Sequence, residues 1–563
     1  MTRRPLWYIL LITLCSVIVA CSGSTPAGSG SSAVTVSIGA GNGPAGAKAP
    51  ATRKAAPVVA TLLFTISAPD MQTISQSLAF TPPQITATFD VPNGTGRRFD
   101  VEAKDLSGAT IYQGSVAADL NGKPVTINIL MNPAFFLGTS LIGTAQDDFG
   151  SAIARDGAGN IFIAGITHGD FSNPLSTGPS ITGNAFLSKF DQYGQPIWTR
   201  QFGTTNGTFA FAVAVDGSGN IVVAGGTGGN LGGEVNHGFT DGFVAKFDPL
   251  GNHLWTRLIG DIGDDVANAV AVDASGNVYV TGFISSTTVQ TITFAPTGGS
   301  GGLDAFVAKF DPSGVQQWMR QYGTFGNDSG EAIAVDASGN VYVAGTTDGG
   351  IDNNANSGLS DIFLSKLDPQ GNNRTTRQFG SSDSDQAAAL ALDANGMVYV
   401  AGTTYGSIDG AGNVDPTGTT SDIFVVKFDT ATLTQQSTWM AGTPLPAVAS
   451  AGTGTVPTGN DVAHCIAVDL SGDVFVAGSI NGVFPGNTGA GGYDSFVIKF
   501  LPTGAVAWAR QTGTPSDDDG NGVAVDGKGN VFVTGTAKGV FDGLQSSGFD
   551  AFLMMFDTNG VKR

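Results

Sequence analysis

Residues 270–282 read VAVDASGNVYVTG, and this stretch decides the fold because versions of it occur seven times along the chain. Each copy has an Asp, a Gly three residues later and another Gly nine residues after the Asp. The spacing inside a copy is constant, whereas the intervals between copies vary, which indicates repeated units joined by loops of unequal length. The repeat Asp residues are Asp156, Asp216, Asp273, Asp336, Asp393, Asp469 and Asp526.

Each repeat unit contains signals for four β-strands. Alternating apolar residues on both sides of the Asp predict a hairpin, in which Gly276 permits a positive φ and Asp273 accepts hydrogen bonds from the turn. A third strand is predicted from the block DAFVAKFD and a fourth from the Trp-containing stretch after it. The third-strand blocks begin at Asn184, Asp241, Asp304, Asp361, Asp422, Asp494 and Asp550, and the fourth strands contain Trp198, Trp255, Trp318, Thr375 in the Trp place, Trp439 and Trp508.

Four antiparallel strands in each of seven units predict an all-β fold with its sheets arranged as blades around an axis, a β-propeller. The last unit ends after its third strand, whereas residues 133–143, PAFFLGTSLIG, have the spacing of a fourth strand without the first three. Pairing of these two ends would close the ring and remove an exposed sheet edge. We therefore expect a closed seven-bladed β-propeller over residues 133–563.

The recurring blocks GNVYVTG, DAFVAKFD and W-x-R-x-x-G resemble the SBBP repeat of bacterial β-propeller proteins, over roughly residues 134–563. The resemblance implies the fold. It implies no reaction, because proteins with this repeat mostly have no assigned activity.

The first 21 residues predict export and lipidation. Arg3 and Arg4 precede an apolar run, and residues 18–21, IVAC, resemble the lipobox of bacterial lipoproteins. We expect a lipoprotein signal peptide at residues 1–21, with Cys21 as the lipidated N-terminus, and Ser22 favours the outer membrane. The alternative is a secretory signal cut at another position.

Between the signal and the repeats the composition changes twice. Residues 22–57 are rich in Gly, Ser, Ala, Thr and Pro, which predicts a flexible tether. Residues 58–132 contain about five strand candidates separated by turn signals, which predict a small β-sandwich of immunoglobulin-like type. The alternative is an irregular extension packed on the propeller.

The composition limits the partners. The formal net charge is −20 and only 13% of the residues are charged, so the chain lacks the basic surface that nucleic acids require. We expect a monomer that contacts the membrane through its lipid anchor. Cys465 is expected to be a buried thiol in a strand.

A second row of Asp residues stands eight positions before the repeat Asp, with Thr208 replacing it in one unit. One interpretation is that these carboxylates, with loop carbonyls, bind Ca²⁺. The other, which we favour, is that each Asp caps a turn by accepting backbone N–H bonds. The row consists of Asp148, Asp265, Asp328, Asp385, Asp461 and Asp518.

A Lys occupies one place in six of the third strands, and Met555 replaces it in the last. Because a Lys in an apolar strand needs a partner, we expect an ion pair with the repeat Asp of the same unit. These residues are Lys189, Lys246, Lys309, Lys366, Lys427 and Lys499.

No catalytic constellation is visible in the sequence. His168, His237, His253 and His464 lie at unrelated repeat positions, and no cofactor is indicated beyond the calcium alternative. Symmetry is broken mainly by long loops at residues 283–303, 403–421 and 441–460. We expect a lipid-anchored cell-envelope platform that binds protein or polysaccharide; the alternatives are a glycan hydrolase or lyase acting at the loop-rich face, and a passive surface component.

Overall fold

The computed structural model describes residues 31–40, 51–53, 60–79, 87–104, 110–133, 138–171, 182–260, 262–285, 302–408, 411, 420–443 and 459–563. The chain divides into two compact units. The first contains residues 1–47 and 55–137, and the second contains residues 48–54 and 138–563.

The first unit contains one seven-stranded sheet in the order β4-β3-β6-β7-β8-β1-β5. Val34, Phe64, Phe89 and Val101 are among the apolar side chains that fill its core. Phe64 and Phe89 lie on strands that are far apart in the sheet, yet their ring centroids are 5.5 Å apart, so the sheet curves and packs on itself. The strands are β1 (Ser31–Ala40), β3 (Thr61–Ser67), β4 (Ile74–Ala79), β5 (Ala87–Pro92), β6 (Gly94–Lys104), β7 (Thr110–Leu120) and β8 (Val125–Pro133).

Part of the predicted tether is strand, so the expectation of a uniformly flexible segment at residues 22–57 is wrong. β1 pairs with β5 in antiparallel and with β8 in parallel orientation. Val34 and Val36 are buried because alternate residues of a strand point to the same face. A short strand, β2 (Ala51–Arg53), belongs to the second unit. The average composition concealed the local alternation of small and β-branched residues.

The second unit has an all-β propeller fold, and its described residues form seven sheets, numbered here 1 to 7 in chain order of their first strands. Strands follow one another across each sheet, and a turn of 3-10 helix occurs at Ile351–Asn353. The first strands are β10 (Asp148–Arg155), β14 (Thr208–Val215), β18 (Asp265–Val272), β22 (Asp328–Val335), β26 (Asp385–Leu392), β30 (Asp461–Val468) and β34 (Asp519–Val525). The second strands are β11 (Ile161–Thr167), β15 (Ile221–Thr227), β19 (Val278–Ile284), β23 (Val341–Thr347), β27 (Met397–Thr404), β31 (Val474–Ile480) and β35 (Val531–Phe541).

The third and fourth strands complete each sheet. The third strands are β12 (Asn184–Phe190), β16 (Asp241–Phe247), β20 (Asp304–Phe310), β24 (Asp361–Leu367), β28 (Asp422–Asp429), β32 (Asp494–Phe500) and β36 (Leu544–Phe556). The fourth strands are β13 (Pro196–Phe202), β17 (His253–Ile259), β21 (Gln316–Tyr322), β25 (Thr375–Phe379), β29 (Gln435–Ala441), β33 (Val506–Thr512) and, in sheet 7, β9 (Ser140–Ile142).

Sheet 7 combines strands from both ends of the repeat region. β9 pairs with β36, in the register Leu141 opposite Phe552, and β2 pairs with the other edge of β9. The sequence predicted that residues around Leu141 supply the missing fourth strand, but it did not predict the additional strand from residues 51–53.

The strand order gives the second unit two different faces. The turns between first and second strands and between third and fourth strands lie on one face, called here the turn face. The loops between second and third strands, and between a fourth strand and the next first strand, lie on the other, called the loop face. Apolar side chains of neighbouring sheets fill the space between the faces, as Phe202 does when its ring packs against Phe243 and Phe247 of the next sheet.

Candidate functional site

The repeat Asp residues lie on the turn face and accept hydrogen bonds within their own turns, as Asp273 illustrates. Asp273 Oδ1 accepts hydrogen bonds from the backbone N–H groups of Ser275 and Asn277, both at 2.9 Å. Its Oδ2 accepts from Asn277 Nδ2 at 2.7 Å and from the Tyr279 hydroxyl at 3.0 Å. Because both carboxylate oxygens have internal partners, this Asp holds the turn together.

The W-x-R part of the repeat connects several sheets to the next one by hydrogen bonds. Trp318 Nε1 donates to the carbonyl of Pro369 at 3.2 Å, and Arg320 Nε donates to the carbonyl of Gly371 at 2.8 Å. Gly371 has a φ of +72°, and a Cβ added there would lie 2.8 Å from the Trp318 ring. Glycine is therefore required both by the backbone and by the close approach of the indole. We call this arrangement the clasp.

The clasp recurs with small changes. Trp255 and Trp508 donate to the carbonyls of Pro312 and Thr558 at 3.1 Å in the same way. Arginines donate to the turn glycine from four sheets: Arg200 to Gly251, Arg257 to Gly314, Arg320 to Gly371 and Arg510 to Gly560. The repeated Trp and Arg residues thus serve the fold.

Trp439 departs from the predicted repeat position. In sheet 5 the residue opposite Lys427 is Ser437, whereas in sheet 3 the residue opposite Lys309 is Trp318. The preceding turn is one residue longer, and Trp439 also lies two positions beyond Ser437, opposite Val425. Its ring still stacks on Phe500 of the next sheet, with centroids 5.8 Å apart.

The predicted row of ion pairs between Lys and the repeat Asp is mostly wrong. Only Lys246 forms it among the described residues, with Nζ 2.9 Å from Asp216 Oδ2, and both side chains are buried. Lys499 instead pairs with Asp473 at 2.7 Å.

The other lysines bind aromatic rings or the neighbouring sheet. Lys309 Nζ lies 5.0 Å from the centroid of the Tyr279 ring, and Lys189 Nζ donates to the Pro249 carbonyl of the next sheet at 3.0 Å. Tyr279 is the cross-strand neighbour of Lys309 in the same sheet. The Pro249 carbonyl lies across the sheet boundary from Lys189, which reasoning within one repeat could not show.

The second Asp row caps the loops that enter the first strands. Asp461 Oδ2 accepts from the backbone N–H of Thr443 at 2.5 Å and from its hydroxyl at 3.0 Å. Asp148, Asp328 and Asp518 accept the same two bonds from a Thr four residues earlier, and Asp385 accepts them from Ser381. Asp265 accepts from the N–H of Ser285 at 3.0 Å. These contacts support turn capping as the role of the calcium candidates.

Burial of these carboxylates changes their acidity. Burial raises the pKa of Asp461 to about 7, and the nearby carboxylate of Asp422 adds to the rise. Burial raises the pKa of Asp518 to about 6, with a contribution from Asp494, and it raises the pKa of Asp550, at the start of a third-strand block, to about 6, with a contribution from Asp148. No group of three or more His, Cys, Asp or Glu placed to bind a metal occurs within the described ranges.

Exposed carboxylates lie beside this buried row on the loop face. Asp147, Asp264, Asp348, Asp383 and Asp517 are exposed, and none forms an ion pair with another described residue. The connections on this face contain Asp and Glu but no Lys or Arg. The loop-face connections are therefore acidic, and one of their acidic residues, Glu234, pairs with the clasp arginine Arg257 at 3.0 Å.

Large apolar side chains are exposed on the same face. Phe239, Ile262, Phe325 and Leu359 are 78%, 75%, 77% and 72% exposed. They lie at the junctions of sheets 2 to 5, and we call them the apolar arc. At the junction of sheets 6 and 7 the corresponding residues are Gly492 and Pro515.

A third asymmetric feature lies on the first strands. Every first strand has a β-bulge three residues after the capping position, and the bulged residue varies between sheets, with only Asn occurring twice. Bulges redirect side chains and are frequent beside functional sites. We call the set the bulge ring: Ser151, Phe211, Asn268, Glu331, Ala388, His464 and Asn521.

Residues of the bulge ring take part in two hydrogen-bonded clusters of side chains. Asn268 Nδ2 lies 3.1 Å from Glu331 Oε2, and burial raises the pKa of Glu331. His464 Nε2 lies 2.9 Å from the Ser479 hydroxyl, which donates to Asp519 Oδ1 at 2.5 Å. Burial lowers the pKa of His464, and Asp519 opposes this shift.

Sequence reasoning treated His464 as incidental and missed the bulge ring. The available signal was a variable third residue after the capping Asp, in a strand that is otherwise nearly constant.

Other predicted residues have limited roles or lie outside the described ranges. Cys465 is partly buried, and burial raises the pKa of its thiol to about 12. Cys21 and most residues of the three long loops are outside the described part of the chain. No helix in the described residues is long and apolar enough to cross a membrane.

Comparisons with known proteins identify the repeat. The model of a β-propeller repeat family, SBBP, matches residues 138–172, 197–232, 254–287, 317–352 and 507–542. Two repeats are not matched by this family model: the repeat with Thr375 in the Trp place, and the repeat that contains the insertion at residues 441–460.

Two proteins are similar in sequence. Regulatory protein FlaEY of Caulobacter vibrioides is 27% identical over 401 residues, which cover 64% of this chain and 40% of that protein. An uncharacterized WD repeat-containing protein of Acanthamoeba polyphaga mimivirus is 24% identical over 245 residues, 35% of this chain and 17% of that protein. The chain therefore matches less than half the length of either relative.

Solved structures of low sequence identity also match parts of the chain. The β-propeller domain of the Trilobed protease from Pyrococcus furiosus gives a TM-score of 0.39 at 8% identity, over 75% of this chain and 96% of that one. The Dos1 propeller gives a TM-score of 0.37 at 9% identity, over 74% of this chain and 94% of that one.

The matched repeats and the order of strands in the sheets together show that the chain is an all-β protein with a propeller fold that contains SBBP beta-propeller repeats.

Proposed function

We propose that this protein is a binding platform of the cell envelope that presents its loop face to a protein or polysaccharide ligand. The observation that carries the proposal is the contrast between the two faces. On the turn face, the repeated Trp, Arg and Asp side chains are used in clasps and turns. On the loop face, carboxylates without ion pairs and apolar side chains such as Phe325 are exposed.

The platform we propose is a closed seven-bladed propeller. Pairing of β9 with β36 supports this closure. So do contacts between sheets 1 and 7: Asn521 Nδ2 donates to the Gly150 carbonyl at 3.0 Å, and the Arg155 guanidinium lies 4.5 Å from the Phe532 ring centroid. A closed ring is rigid and leaves its loops free to vary, which suits ligand recognition.

We further propose that Cys21 carries the lipid that anchors the protein, in the outer membrane, and that the first unit is an immunoglobulin-like spacer. The lipobox-like residues 18–21 support the anchor, and the curved sheet with its own apolar core supports a separate spacer domain. Labelling of cells with an acyl-chain analogue tests the anchor. The label should attach to the natural chain and not to a Cys21→Ser variant.

A binding screen tests the platform. The chain lacking its first 21 residues is presented to envelope proteins and polysaccharides, beside a loop-face variant, Phe325→Ser, and a turn-face control, Leu470→Ser. Leu470 is 79% exposed, so the two substitutions remove equally exposed apolar groups. Binding that falls only in the loop-face variant supports the proposal; binding that falls only in the turn-face control contradicts it.

The bulge ring favours a second candidate, a hydrolase or lyase acting on envelope glycans at this end of the propeller. Glu331 has a raised pKa, as a general acid requires, and His464 with Asp519 provides a second titrating group. Incubation with envelope polysaccharides should release fragments that a Glu331→Gln variant does not release. Absence of fragments from the natural chain would leave the binding platform as the function.

A further inference from the structure

We propose that the ligand of the loop face is a positively charged polypeptide segment with large apolar side chains, and that it binds along the apolar arc. This inference rests on the proposed binding function and names the class of partner. It combines three observations: the exposed apolar groups, the carboxylates beside them, and the lack of basic residues in the connecting loops.

Each part of the arc places an apolar side chain next to a carboxylate. At the junction of sheets 2 and 3, the N–H of Phe239 donates to the Gly263 carbonyl at 3.1 Å, and Thr240 bridges to Asp264. Phe239 and Ile262 therefore flank the exposed Asp264. Hydrogen bonds between the two loops hold this group in place.

The next two junctions repeat the arrangement. Asn327, two residues after Phe325, donates from Nδ2 to Asp348 Oδ2 at 3.1 Å, and its carbonyl accepts from the Asp348 N–H at 3.0 Å. The N–H of Leu359 donates to the Asp383 carbonyl at 3.3 Å. Three successive junctions thus present an apolar group and an acidic group on loops that are tied to each other.

The charge distribution selects the partner. Because the loop-face connections themselves contain no Lys or Arg, an acidic ligand would meet mostly carboxylates there. Two arginines from outside the connections are already paired with acidic residues of these loops, Arg257 with Glu234 at 3.0 Å and Arg374 with Asp352. Lys538 Nζ lies 4.6 Å from the Phe549 ring centroid, on β35 of sheet 7. A basic segment is attracted to this face, and its apolar residues cover the arc. A neutral polysaccharide could pack on the aromatic rings of Phe239 and Phe325, but it would have no electrostatic attraction to the carboxylates beside them.

Peptide binding by the chain without its first 21 residues tests the inference. Three short labelled peptides are compared by fluorescence anisotropy: one with Lys and Leu, one with Glu and Leu, and one with Lys and Ser. We expect the Lys and Leu peptide to bind at least about tenfold more tightly than either other peptide, and to weaken as salt screens the charges.

Matched variants locate the site. The arc variant combines Phe239→Ser, Phe325→Ser and Leu359→Ser, and the charge variant combines Asp264→Asn, Asp348→Asn and Asp383→Asn. The control combines Leu250→Ser and Leu470→Ser on the turn face, where these residues are 68% and 79% exposed. Both loop-face variants should lose at least about tenfold in affinity, whereas the control should keep it. Unchanged circular dichroism melting curves verify that each variant folds.

The outcomes separate this inference from the proposed function. Equal binding of the Glu and Leu peptide, or binding that the arc variant retains, overturns the inference. If only a neutral polysaccharide binds, and the arc variant loses it, the partner class is wrong while the loop-face platform stands. If peptides and polysaccharides bind the arc variant and the natural chain alike, both proposals fail.

Discussion

The buried Asp row should make the second unit less stable as the pH rises, and Asp461 is the residue with which to test this. Asp461 is completely buried, its Oδ1 has no hydrogen-bond partner among the described residues, and the carboxylate of Asp422 is close. An ionised carboxylate is costly in such a place. Accordingly burial raises its pKa to about 7, whereas an unfolded Asp titrates near the ordinary value of 3.8.

The sign of the effect follows from proton binding. Because the folded chain holds this proton more tightly than the unfolded chain, its contribution to stability is full at low pH and is lost as the pH rises through the folded pKa. Between about pH 5 and about pH 7.5, Asp461 alone should cost about 2.5 kcal/mol of unfolding free energy. Asp518 and Asp550, with pKa values of about 6, should each cost about 1.4 kcal/mol over the same interval.

Denaturant unfolding at several pH values, followed by Trp fluorescence, measures this slope. The Asp461→Asn variant should lose about 2.5 kcal/mol of the pH-dependent decrease, because the amide cannot ionise. Asp311→Asn is the control: hydrogen bonds from Ser313 and the turn backbone lower the pKa of Asp311, so it stays ionised throughout this interval. A natural chain that becomes more stable towards pH 7.5, or an Asp461→Asn variant with the natural slope, would refute the reasoning.

Other substitutions test the clasp, the lysines and the calcium interpretation. Arg320→Ala should destabilise the second unit by about 1–3 kcal/mol, because it removes charged hydrogen bonds to the Gly371 carbonyl and its neighbours; thermal unfolding checks this. Lys246→Met should cost roughly 3 kcal/mol because it leaves Asp216 buried without its cation, whereas Lys309→Met should cost about 1 kcal/mol, the loss of a cation–π contact; chemical denaturation compares them. Millimolar calcium should leave the melting temperature unchanged, because the second Asp row is engaged in capping; a clear increase would revive the calcium interpretation.

The strands of the second unit were predictable because the repeat supplied the same signal many times. Alternation around Asp273, the third-strand block and the turn glycines each recur, so local ambiguity in one copy is resolved by the others. The origin of the last strand also followed from the chain, since a three-stranded unit at one end requires a partner from the other.

The contacts that the third-strand lysines and the clasp residues make were not predictable in the same way. Reasoning within one repeat assigned Lys309 to Asp273, whereas Lys309 lies over Tyr279, its cross-strand neighbour in the same sheet, and Lys189 donates to a carbonyl of the next sheet. The contact of Lys189 depends on the distance between sheets, which no periodicity encodes. The same limit hid the clasp, in which Trp318 and Arg320 bind the turn of the neighbouring sheet.

The candidate site was found only in outline. The sequence indicated that the loop face is acidic and that symmetry breaks there, but it directed attention to long loops rather than to single exposed residues. Phe325 and Leu359 are exposed, but the sequence around them does not distinguish an exposed apolar residue in a loop from a buried one. The bulge ring was missed because a β-bulge shifts the alternation by one residue, so His464 could not be oriented from the pattern.

Photo-crosslinking in intact cells tests most directly whether the loop face is the binding face. A photoreactive amino acid is placed at Phe325 in one variant and at Leu470 in the other, two positions that are 77% and 79% exposed on opposite faces. The proposed function predicts a discrete crosslinked partner from position 325 and none from position 470. Crosslinking from position 470 alone, or from neither position, would contradict it.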